Sequence, residues 1–98
     1  MREAQIDTVR DALGLVRLLC VAAHRTGDEA RAAALGLLGR EFSDCYVLMT
    51  RCGPGSSPYG RSLGRADAAL ARLAEVPGID APLVAAARAR LYGVGEEV

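Results

Sequence analysis

Lysine and tryptophan are absent from this 98-residue chain, and histidine occurs once. All twelve basic residues are therefore arginines, and they balance twelve acidic residues to a net charge of zero. A dedicated nucleic-acid-binding domain is usually basic, so this balance argues against that class. Aromatic residues make up only 4% of the chain. We therefore expect a core built from Leu, Val, Ile and Ala.

Long apolar runs are also missing. The longest, residues 18–23 and 32–38, fall far short of the roughly 20 residues that a membrane-spanning helix needs. The N-terminal segment MREAQIDTVRD is charged and lacks the apolar run of a signal peptide. These features predict a cytoplasmic protein that makes no membrane contact.

The three cysteines do not form a metal-binding or disulfide pattern. There is no C-x-x-C or H-x-x-x-H pair, so we expect no metal and no cofactor. Cys45 and Cys52 are seven residues apart on one predicted helix, roughly 10 Å by helical rise. A disulfide needs Cα atoms within about 7 Å. Cys20 is separated from Cys45 by roughly 15 Å along the predicted hairpin. Free thiols that pack as small core residues are expected.

Two long helices are predicted by apolar residues spaced alternately three and four positions apart. The first helix covers about 3–25 and the second about 29–51. Gly27 and Asp28 between them suit a helix end and a helix cap. Because the connection is short and the helices match in length, they should form a long antiparallel αα-hairpin.

A short helical hairpin should follow, with helices at about 62–75 and 80–92 and a loop at 53–61. The chain is thus predicted to be a single all-α domain, 1–98, with the architecture of a small helical bundle. The first helix has a second apolar row, Ala12, Leu15, Leu19 and Ala22, that two short helices can cover only in part. We expect a homodimer with a core made from two long hairpins. The alternative is a monomer that exposes its extra alanines.

The segment RCGPGSSPYGRSLGR, residues 51–65, breaks the helical pattern. From Cys45 to Ala66 there is no acidic residue, so the arginines of this segment give it a charge of +3. Tyr and Arg are the residues that most often anchor interfaces. We predict a partner-binding surface formed by Arg51, Tyr59, Arg61 and Arg65, for a protein partner with an acidic or phosphate-bearing surface. The alternative is a flexible hinge.

Arg17 and His24 form an R-x6-H pair on one face of the first helix. This spacing is similar to that of HEPN-type helical ribonucleases, in which an Arg–His pair serves phosphodiester cleavage across a dimer interface. The polar residue usually found after the arginine is here Leu18. The resemblance implies a ribonuclease that uses Arg17 and His24.

The second hairpin resembles a helix-turn-helix in outline. Asp80, Ala81 and Pro82 would occupy the leading end of its second helix, where base-reading residues belong. Arg88 and Arg90 come later and could contact phosphate. A nucleic-acid-binding regulator that uses this hairpin and the arginine-containing loop is therefore a third hypothesis.

A nucleophile–base pair, a Walker lysine and a G-x-S-x-G motif are all absent from the sequence. We therefore interpret the chain first as a small non-enzymatic interaction protein, an adaptor, regulator or inhibitor. It should work by docking to a partner protein, as a homodimer.

Overall fold

Four α-helices and their connections form residues 2–92, the part of the chain that the computed structural model describes, with side chains for residues 3–92. They are α1 (Arg2–Arg25), α2 (Glu29–Arg51), α3 (Ser57–Ala74) and α4 (Ala81–Leu91). The described range holds no strand, and the predicted all-α class and small helical bundle are confirmed. Met1 and residues 93–98, which the predicted domain includes, lie outside the described residues.

The first two helices form the long hairpin. Gly27 turns the chain with a φ of 77°, and the Asp28 side chain caps α2 by accepting from a backbone N–H three residues on. Across the turn, the Cys20 thiol donates to the Ala32 carbonyl at 3.4 Å, which shows that the helices run antiparallel. The bounds of α1 and α2 agree with the prediction to within one residue.

The third helix begins at Ser57, five residues before the predicted start at Ser62. The reason is a capping arrangement. The Ser56 hydroxyl accepts from the Tyr59 backbone N–H, and Pro58 stands in the first turn, where its missing N–H costs nothing. The connection is therefore only residues 52–56, and most of the predicted loop is helical.

The short helices lie on one side of the hairpin. α3 packs mainly along α2, and α4 packs on α3 and on α1. At the far end, Gln5 Nε2 donates to the Leu91 carbonyl at 2.7 Å, which ties the last turn of α4 to the first turns of α1. The principal extents are 42 × 29 × 16 Å, so the molecule is flat.

The core is mostly aliphatic, as its composition predicts. All four helices contribute to it, and its largest fully buried side chains are Phe42, Leu35, Met49, Leu70, Leu73 and Leu91. Ser62 is also buried, and its hydroxyl has no hydrogen-bond partner among the described residues. Because α4 is only 11 residues long, this core leaves part of α1 uncovered.

Candidate functional site

Tyr59, which the sequence suggests as an anchor for a partner, is a core residue. It is 3% exposed, and its hydroxyl donates to Gln5 Oε1 at 2.6 Å. Gln5 in turn donates to Leu91, so one glutamine holds α1, α3 and the end of α4 together. The early start of α3 turns Tyr59 inward, and a partner on the surface cannot reach its ring.

Arg65 is held within the molecule as well. Its guanidinium donates to both carboxylate oxygens of Glu41 at 2.9 Å, and Asp44 lies 3.8 Å away. The hydrogen bonds from Arg65 hold the pKa of Glu41 below its usual value, and those to Glu41 raise the pKa of Arg65. This pair joins α2 to α3.

Arg51 and Arg61 remain at the surface. Both are exposed, one at the end of α2 and the other in the first turns of α3. Within the described part of the chain neither has an ion pair. The predicted four-residue surface therefore consists of two exposed arginines beside a buried tyrosine and a paired arginine. Binding at these two arginines stays a prediction.

An apolar groove of about 280 Å³ lies between α1 and the α3–α4 hairpin. We call it the α1–α4 groove. Its apolar wall consists of leucines, isoleucine, valine and alanines from three helices and one turn: Ala12, Leu15, Leu19, Leu70, Leu73, Ile79, Leu83, Val84 and Ala87. Its polar lining residues are Thr8, Asp11, Asp80 and Arg90, with Gly78 beside them. Leu83 is 54% exposed at its edge.

The groove arises because α4 is too short to cover the second apolar row of α1. Ala12 from that row is buried in the core, while Leu15 and Leu19 are half-buried in the groove wall. Ala22, the last member, is exposed. From the sequence, this row predicts more apolar surface on α1 than the short helices can cover. The shape of the groove depends on the position of α4, which is set by tertiary packing.

The charged groups around the groove differ in the hydrogen bonds and ion pairs that they make. Asp80 caps α4, accepting from the Leu83 N–H at 3.3 Å. Asp11 is exposed and approaches Arg10 at 3.9 Å. Arg90 reaches the Thr8 hydroxyl at 3.5 Å. Two carboxylates with remaining acceptor capacity thus flank an apolar surface.

Arg17 and His24, the pair with the ribonuclease-like spacing, are both exposed on α1. Arg17 lines a shallow groove between α1 and α2, which Gly36 and Arg40 also line. His24 stands in the last turn of α1, where a cation interacts favourably with the helix dipole. Nuclease activity of this pair stays a prediction.

The arginines of the second hairpin contact other helices. Arg88 donates to both carboxylate oxygens of Asp67 at 2.8 and 3.1 Å, and the bonds raise its pKa. Arg90 donates to the Thr8 hydroxyl of α1. The leading end of α4 carries Asp80 as its cap. These contacts hold the hairpin in place, and its binding to nucleic acid stays a prediction.

All three cysteines are free thiols. Cys45 is fully buried, and this burial raises its pKa to about 11. Cys20 and Cys52 are half-buried. Among residues 2–92, no group of three or more His, Cys, Asp or Glu side chains is arranged to hold a metal ion.

None of the described helices is long and apolar enough to span a membrane. Comparison of the chain with protein-family models, with curated proteins and with solved structures gave no match in any of the three.

Proposed function

We propose that this protein is a small non-enzymatic docking module that binds a helical segment of a partner protein in the α1–α4 groove. The observation that supports this is a concave apolar surface, built from three helices, with Leu83 half in solvent at its edge. Contiguous exposed apolar surface is typical of sites that bind another molecule. Amphipathic helices are recognised in such grooves through anchors at i, i+3, i+4 and i+7.

The charges around the groove indicate the chemistry of the segment. Asp11 and Asp80 lie on the α1 and α4 sides and outnumber the single cation, Arg90. A basic residue next to the apolar face of the segment would therefore find an acceptor on either side. We propose an amphipathic helix with leucine-like anchors and flanking arginine or lysine.

The test is a titration of isotope-labelled protein with a synthetic helical peptide that has leucines at these four positions and arginines at both flanks. We expect NMR shift changes that concentrate at Leu15, Leu19, Leu73 and Leu83. Changes spread over the whole surface, or none, would contradict the proposal.

Two variants supply the control. Leu83→Glu should weaken binding of this peptide at least about tenfold, which corresponds to about 1.4 kcal/mol. Leu37→Glu alters a leucine that is 66% exposed and lies outside the groove, and it should leave binding unchanged. Equal effects of both variants would show that the peptide binds nonspecifically.

A second peptide with the same leucines and glutamates at the flanks tests the other partner chemistry. If it binds more tightly than the basic peptide and shifts the resonances of Arg51 and Arg61, the partner is acidic, as the sequence suggests. The docking surface would then be the two exposed arginines rather than the groove.

A further inference from the structure

A second row of residues on α1 faces away from the core. Its members are spaced alternately four and three positions apart, and all of them are exposed: Asp7, Asp11, Gly14, Leu18, Val21 and Arg25. This is the heptad spacing of a helix that pairs with another helix. The row lies on the far side of α1 from the buried Val9, Leu13 and Val16. We call it the outer row.

The middle of the outer row is apolar or small. Leu18 is 71% exposed, the highest value among the exposed large apolar side chains, and Val21 is 50% exposed. A side chain added at Gly14 would meet nothing within 4 Å, so the space beside that glycine is open. Because these three residues are neighbours on one face, they form an exposed apolar patch in which Gly14, without a side chain, leaves room for another helix to come close one turn from Leu18.

The ends of the outer row carry opposite charges. Asp7 and Asp11 stand at its start, and Arg25 stands at its end. Asp7 and Asp11 approach Arg10 at 3.3 and 3.9 Å, but exposed pairs of this kind contribute little and can be exchanged. Arg25 has no ion pair within the described part of the chain.

We propose that the outer row is a self-association surface, on which α1 of a second copy lies antiparallel. In this register Asp7 faces Arg25 of the second copy, and Leu18 lies against its Gly14. The two-fold symmetry repeats both contacts, as an isologous dimer requires. A parallel pair would instead place Asp7 against Asp7 and Arg25 against Arg25. The opposite charges at the two ends of the outer row therefore favour the antiparallel arrangement.

The outer row and the α1–α4 groove are different surfaces of α1 that share only Asp11 at their border, so self-association is separate from the proposed docking function. It also differs from the dimer that the sequence suggests, which uses the row of Leu15 and Leu19 now seen in the groove. The contact is one helix wide, so we expect a weak, reversible dimer rather than an obligate one.

Sedimentation equilibrium over a concentration series up to about 1 mM tests self-association at the affinities expected for a weak dimer. We expect a reversible change from the 10.3 kDa chain to twice that mass. Leu18→Glu should weaken the dimer at least tenfold, whereas Leu37→Glu, on α2, should not. A species that stays at 10.3 kDa throughout the series overturns the proposal. A dimer that Leu18→Glu leaves intact overturns it as well.

Charge exchange tests the register. Asp7→Arg and Arg25→Glu should each weaken the dimer several-fold, and the double variant should restore it, because both cross-pairs reform with reversed signs. Thermal melting of each variant checks that the fold is intact. If neither single variant weakens the dimer, or the double variant is weaker than both, the antiparallel register is wrong.

Discussion

Replacement of Tyr59 by alanine is the sharpest test of the fold, because the sequence and the structure give opposite expectations. A tyrosine in an exposed loop could be truncated with a change of no more than about 0.5 kcal/mol in stability. Tyr59 is instead 3% exposed within the core. Loss of a buried aromatic ring costs about 3–5 kcal/mol. We therefore expect Tyr59→Ala to lower the melting temperature by about 12 °C or more, at 4–8 °C per kcal/mol for a domain of this size.

Tyr59→Phe separates the hydroxyl from the ring. It removes the 2.6 Å hydrogen bond to Gln5 and keeps the packing. A bond of this kind contributes about 1 kcal/mol, and more if the remaining acceptor is cut off from water. Gln5 is only half-buried, so we expect a loss near 1 kcal/mol. A double-mutant cycle with Gln5→Ala should show a coupling energy of similar size.

The assay is urea and thermal unfolding followed by far-UV circular dichroism, with Tyr92→Ala as the matched control. Tyr92 is 51% exposed, so its truncation should change stability by no more than about 0.5 kcal/mol. If Tyr59→Ala melts within about 2 °C of the parent protein, the ring is not buried and α3 starts later than Ser57.

Four further predictions concern charge, thiols and function. Glu41→Gln should destabilise the protein at neutral pH, because the folded pKa of Glu41 is lowered by Arg65 and its stabilisation is present above the unfolded value of 4.5. The difference in unfolding free energy between the parent and Glu41→Gln should shrink as the pH falls below 4.5. A difference that stays constant with pH would show that the ion pair does not cause it. Cys45, with a pKa of about 11, should resist alkylation in the native protein at pH 8 while the other two thiols react, as peptide mass spectrometry can show. Arg61→Ala should change stability by about 0.5 kcal/mol or less, so its melting temperature should stay within a few degrees of the parent protein. The same variant should weaken the binding of an acidic partner about tenfold, and unchanged binding would show that this arginine is not part of the interface. If His24 serves ribonuclease chemistry, RNA cleavage by the parent protein should be lost in His24→Ala, and equal cleavage by both, or by neither, would exclude that role.

The extent of the long hairpin follows from sequence because its signals are local. Apolar residues three and four positions apart and the Gly27–Asp28 pair fix α1 and α2 to within one residue. The start of α3 has a local signal too, in the Ser56 cap and Pro58. The apolar spacing of Leu63 and Ala66 also continues back to Tyr59. Four glycines in residues 51–65 mask this signal, because glycine favours loops.

The candidate site depends on contacts that are distant in sequence. The absence of acidic residues between Cys45 and Ala66 makes Arg65 look unpaired, yet its partner Glu41 comes from the neighbouring helix, 24 residues earlier. The α1–α4 groove likewise follows from where α4 packs, and local spacing carries no information about that. The apolar excess on α1 was predictable, whereas its division between core, groove and solvent was not.

The hydrogen bonds of Gln5 have a consequence for the order of assembly. They join the first turns of α1 to residues 54 and 86 positions further along the chain. The entropy cost of closing a loop rises with its length, so these contacts cost more to close than the α1–α2 hairpin, which needs only a short turn. During synthesis on the ribosome, the α1–α2 hairpin can therefore form before Leu91, whose carbonyl accepts from Gln5, has been added to the chain.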